Sequence, residues 1–78
     1  IGTARRHKLY PDLARERERN ARLKSSVVES ADAAALAEAR YRAGLDDFLA
    51  VLDADRRLLE AESALAESDT RVLRNYVA

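Results

Sequence analysis

From Val51 onward, apolar and small residues recur at every third or fourth position: Val51, Ala54, Leu58, Ala61, Leu65, Ser68 and Val72. This spacing sustains an a/d seam over about three heptads and predicts a helix packed lengthwise against another. A second stripe, Phe48, Leu52, Leu59, Ala66 and Leu73, lies beside the first. Two adjacent stripes suit a helix that touches neighbours on both sides, as in a bundle or a closed ring of helices. Upstream, Leu13, Leu23, Val27, Val28 and Leu36 punctuate a second long run of helix formers. Ala33 to Ala35 and Ala37 are small there, so a neighbouring helix can approach closely.

The breaks between these runs are few and specific. Pro11 is the only proline; it pushes Tyr10 toward extended geometry and is well tolerated in a first helical turn. The first helix is therefore predicted over about residues 12–43, after an irregular or short helical extension at 1–11. Gly44 interrupts "ARYRAGLDDF", and glycine takes the left-handed conformation of a helix C-cap without a Cβ penalty. Asp46 and Asp47 follow, and carboxylates favour a helix N-terminus. A stop and a start within a few residues predict a reversal at 44–45 and a second helix over 46–76. The fold class is all-α: two long helices, each about 45 Å, in an antiparallel coiled-coil hairpin forming one unit over 1–78.

Composition sharpens this picture. Seventy-eight residues make at most one small domain with a marginal core. With no Cys, Met or Trp and one Phe, neither disulfides nor large side chains add stability. Such a chain is expected to need partners. No apolar run approaches the ~18–20 residues of a membrane-spanning helix, and no signal-peptide core is present near the start. The opening "IGTARRHKLYPDL", without an initiator Met, suggests a fragment of a longer protein. Formal net charge is zero, yet residues 1–24 hold eight basic residues against three acidic ones. That surplus is read as a solvated helix face, because "RERERNAR" alternates in sign and offers i,i+4 pairs such as Glu18 to Arg22. Tyr10, Tyr41, Phe48 and Tyr76 lie away from most of the basic cluster, so nucleic-acid binding is not expected.

Candidate chemistry is sparse. His7 sits among Arg and Lys with no visible orienting partner. Asp46, Asp47, Asp53 and Asp55 lack the Gly and final Glu of a calcium loop, so capping and solvation explain them better than a metal. Ser25, Ser26, Ser30, Ser63 and Ser68 have no adjacent base, and no glycine-rich phosphate loop exists. The expectation is no enzyme, no cofactor and no metal.

"EARYRAGLDDFLAVLDADRRLLEAESALAES" resembles the outer membrane efflux proteins of the TolC-like family, especially the lipoprotein branch serving drug and metal pumps. The resemblance rests on Tyr41-Arg42-Ala43-Gly44, Leu49, Val51-Leu52-Asp53-Ala54, Leu58/Leu59 and Ala61-Glu62, and extends over residues 13–78. It implies a homotrimeric tube in the outer membrane and periplasm of a Gram-negative bacterium, with this hairpin at its periplasmic tip. The implied partners are a periplasmic adaptor (membrane fusion) protein and an inner membrane pump. By the same resemblance Tyr41, Gly44 and Leu45 belong to the adaptor-docking tip, and Leu49 and Asp53 to the pore constriction. Asp46 stands where some members carry a basic gating residue. The opening segment is similar to the family's stretch before a membrane β-strand, here joined almost directly to the late helical region. A hairpin without strands inserts in no membrane and transports nothing by itself. The alternative expectation is a stand-alone structural or adaptor coiled-coil module.

Overall fold

The computed structural model describes the backbone of residues 2–77 and the side chains of residues 13–76. Two helices account for it: α1 (Gly2–Arg42) and α2 (Phe48–Val77), packed antiparallel in a rod of 65 × 14 × 13 Å. The all-α hairpin read from the sequence is the fold observed. No strand occurs among the described residues.

The α1 boundary differs from expectation: the helix starts at Gly2, not near Asp12. Pro11 forfeits one backbone hydrogen bond, but Arg, Lys, Leu and Ala around it are good helix formers and carry the helix through. At ~1.5 Å per residue, α1 outruns α2, so its first ten or so residues overhang the paired region. His7 and the basic side chains Arg5, Arg6 and Lys8 lie outside the described side chains.

Burial follows a heptad on both helices. On α2 the buried and half-buried residues include Val51, Ala54, Leu58, Ala61, Leu65, Ser68 and Val72, the seam expected from the sequence. The matching row on α1 is Leu13, Glu16, Asn20, Leu23, Val27, Ser30, Ala34 and Ala37. This row mixes small and polar members with a few aliphatic ones, which hid it from a search for apolar periodicity. Of the alanine run, Ala34 is buried and Ala37 half-buried, whereas Ala33 and Ala35 face outward; Val28 and Leu36 are also exposed. The second α2 stripe, Phe48, Leu52, Leu59, Ala66 and Leu73, is exposed along its whole length.

Asn20 supplies the seam's polar lock. Its Nδ2 donates to Ser68 Oγ at 3.2 Å and to Asp69 Oδ1 at 2.7 Å, bridging α1 and α2. Ser68 is 1% exposed, so its hydroxyl depends on a protein partner. A polar residue at one a position fixes alignment, because a shifted register strands it in the seam. Glu16 carries a buried Oε2 with no hydrogen-bond partner among the described residues.

Candidate functional site

The hairpin tip is built by a helix stop and a helix start placed back to back. Leu45 N–H donates to Arg40 O at 2.9 Å and Gly44 N–H to Tyr41 O at 3.0 Å. This is the paired-bond C-cap that satisfies the last carbonyls of α1, and it requires a residue at positive φ. Gly44 provides it with φ of 75°, while no non-glycine residue among those described has positive φ. Asp47 then caps α2: its Oδ1 accepts from Ala50 N–H at 3.2 Å. Asp46 lies before the cap, where its Oδ1 accepts from Asp47 N–H at 3.1 Å and its Oδ2 meets Arg40 Nε at 3.4 Å. The reversal therefore spans residues 43–47, wider than the predicted 44–45, because both aspartates serve the turn before α2 begins.

Around this turn stand large apolar groups that the hairpin does not cover. Leu45 is 68% and Leu49 71% exposed, with Tyr41 and Phe48 about half exposed. The Tyr41 and Phe48 rings pack tilted at 59° with centroids 5.4 Å apart, an edge-biased contact across the mouth of the turn. Nothing lies within 4 Å of where a Cβ on Gly44 would stand, so the backbone there is open to close approach by another chain. Tyr41, Gly44 and Leu45 are thus brought together on one exposed surface.

Leu49 and Asp53 lie one turn apart on α2, at increasing distance from the tip. Leu49 projects into solvent, whereas Asp53 is half-buried beside a shallow groove shared with Ser30, Ala33 and Ala54. The Asp53 carboxylate holds two arginines of its own helix, Arg56 and Arg57, each at 3.2 Å. No group of His, Cys, Asp or Glu suited to a metal ion occurs among the described residues. Nor is any described helix long and apolar enough to cross a membrane.

Sequence reasoning missed Asn20 and the Arg40–Asp46 clamp. The signal for Asn20 was its seven-residue spacing from Leu13 and Val27, which a purely apolar template passes over. The Tyr41–Phe48 contact was foreshadowed only by the two aromatics flanking the glycine turn.

No family model, curated protein or solved structure matches this chain.

Proposed function

We propose that the hairpin is a segment of an outer membrane efflux channel, the periplasmic helical end that docks an adaptor protein and narrows the pore. It works in a homotrimer, between a membrane-embedded barrel supplied by other sequence and an inner membrane pump reached through the adaptor. The observation that carries this reading is the tip itself: an exposed apolar cluster mounted on a turn fixed by caps on both sides. A hairpin end serving only to reverse the chain gains nothing by exposing Leu45, Phe48 and Leu49, and apolar patches of this kind mark interaction surfaces. Tyr41 and Leu45 supply apolar contact area, and Gly44 lets the adaptor backbone come close.

Leu49 and Asp53 narrow the conduit as an apolar ring and a carboxylate ring. Each Asp53 arrives already paired with Arg56 and Arg57, which offsets its charge. The ring is therefore a weaker cation attractor than three bare carboxylates.

The test is a titration of the chain against purified periplasmic adaptor by calorimetry. Leu45→Ser and Tyr41→Ala are expected to weaken binding by roughly tenfold or more each, as anchor residues do, with helicity unchanged. Absence of binding by the unaltered chain, or binding by both variants as tight as that of the unaltered chain, would leave the stand-alone coiled-coil module as the better reading.

A further inference from the structure

We infer that the open end of the hairpin, opposite the turn, is a docking surface for an anionic lipid bilayer, which it meets end-on through basic and interfacial side chains. The inference goes beyond the function proposed above and uses no residue of the tip.

Asn20 bonds Ser68, so Lys24 and Ala64 stand at about the same height in the antiparallel pair. That height divides the rod into two charge blocks. Toward the turn, residues 25–63 hold nine acidic residues against four basic ones. Toward the open end, residues 1–24 and 64–78 hold ten basic residues against five acidic ones. The blocks also differ in pairing. Every ion pair among the described residues uses Arg40, Arg42, Arg56, Arg57 or Arg71. Arg15, Arg17, Arg19, Arg22, Lys24 and Arg74 are exposed and make none among those residues. The Glu18–Arg22 pair expected from the sequence is not formed. Charge at the open end is thus left available to an outside anion.

Placement decides which anion. At ~100° per residue, Arg17 and Lys24 share one flank of α1, while Arg15, Arg19 and Arg22 share the opposite one. Charge on both sides of a rod's end suits a surface met end-on better than a single phosphate strand. Leu73 and Tyr76 are 64% and 73% exposed at this same end. Exposed leucine and tyrosine among arginines settle at a headgroup boundary, apolar bodies inward and polar ends in water. Tyr41 and Phe48 stand at the far end, so no row of aromatics accompanies the basic residues as a base-stacking platform. Beyond α2, the overhanging start of α1 adds Arg5, Arg6 and Lys8 to the basic block. The acidic block begins about 20 Å from the end of α2, roughly two Debye lengths at physiological salt. End-on contact therefore keeps the basic block within reach of the headgroups and the acidic block screened. A rod lying flat would bring both blocks to the surface and cancel the attraction. The turn then projects away from the lipid.

The test is co-sedimentation of the whole chain with vesicles of phosphatidylcholine containing about 30% phosphatidylglycerol, against phosphatidylcholine alone, at about 0.1 M salt. Partition should be at least about 20-fold stronger on the anionic vesicles and fall steeply with added salt. Each basic residue near such a surface is worth about fivefold, so Arg15→Gln, Arg19→Gln and Arg22→Gln together should weaken partition by about 50-fold or more. Lysine at the same three positions should keep it within about threefold, with helicity by circular dichroism unchanged in both variants. Asp32→Asn with Asp55→Asn removes two charges of the acidic block and should change partition by less than about twofold. The chain has no cysteine, so an environment-sensitive dye can be placed at Tyr76→Cys or at Leu45→Cys. The first should shift to the blue on anionic vesicles and the second should not. Equal partition onto the two kinds of vesicle overturns the inference. So does an aspartate variant that gains tenfold or more, which would mean that net charge alone acts, or a blue shift at both dye positions. Tighter binding to RNA than to anionic vesicles at equal phosphate concentration also overturns it and makes nucleic acid the partner. Because no adaptor is present, the docking reading of the tip can fail while this result stands, and the reverse.

Discussion

Asn20→Ala removes the only side chain among the described residues that hydrogen-bonds to Ser68. Two bonds go, at 3.2 Å and 2.7 Å. The exposed Asp69 carboxylate recovers water, so the shorter bond contributes little to the net loss. Ser68, 1% exposed, recovers none, and a stranded buried hydroxyl costs about 1–3 kcal/mol. Its hydroxyl can turn back on the carbonyl of the preceding helical turn, which trims the figure toward about 1–2 kcal/mol. With a urea m-value of about 1 kcal/mol/M for a chain of this size, the unfolding midpoint should fall by about 1–2 M. Far-UV circular dichroism at fixed protein concentration measures it. The control is Asn20→Leu with Ser68→Ala, which replaces the polar pair by seam-compatible apolar groups. That variant should regain or exceed the original stability, as replacement of both partners often does. A single variant within about 0.3 M of the parent would refute the argument, since such a shift is below about 0.5 kcal/mol. A double variant as weak as the single would show that shape, not hydrogen bonding, sets the cost.

Two further predictions concern the turn. Gly44→Val should destabilise the hairpin by about 2 kcal/mol or more, because a β-branched residue is strained at φ of 75° even with open space around it. Gly44→Asn should cost about 1 kcal/mol or less, and equal midpoints for the two variants would remove the backbone explanation. Asp47→Ala should lower stability by about 1 kcal/mol through loss of the bond to Ala50, while Asp47→Ser stays within a few tenths, both read from urea midpoints.

The elements most legible in the sequence were those governed by local chemistry. Gly44 announced the stop because only glycine takes that conformation cheaply, and Asp47 announced the start because its side chain replaces a missing carbonyl. The α2 seam was legible because it is largely apolar on a 3–4 spacing. The α1 face was not, since Glu16, Asn20 and Ser30 occupy inward positions that composition assigns to solvent. Their burial is imposed by the partner helix, a tertiary effect with no local signature. Helix length failed for a related reason: Pro11 weakens a helix locally, but one lost bond does not end a run of strong formers. At the tip, the sequence supplied Tyr41, Gly44 and Leu45 together, while the Arg40–Asp46 clamp required knowing how tightly the chain turns.

The division of labour between the two faces of α2 bears on what the hairpin is built to do. Its inner seam buries Val51, Ala61 and Ser68, against Ala34 and Asn20 from α1. Leu58, Leu65 and Val72 of α2 and Leu13, Leu23 and Val27 of α1 are half-buried beside them, so the seam adds apolar contact to alignment. Leu52, Leu59 and Leu73 stand outside it, as do Leu45 and Leu49 at the tip. Leucine is thus divided between the two faces, with Leu13, Leu23, Leu58 and Leu65 in the seam. The ion pairs follow the same logic: Arg57–Asp53 and Arg71–Glu67 are satisfied within α2, while Asp32 on the α1 flank has no ionic partner among the described residues. Polar bonds fix how the two helices align, and part of the apolar capacity is held outward. The hairpin thus has its register set internally by the Asn20–Ser68 bond and the capped turn, and it carries leucines that its own two helices leave uncovered.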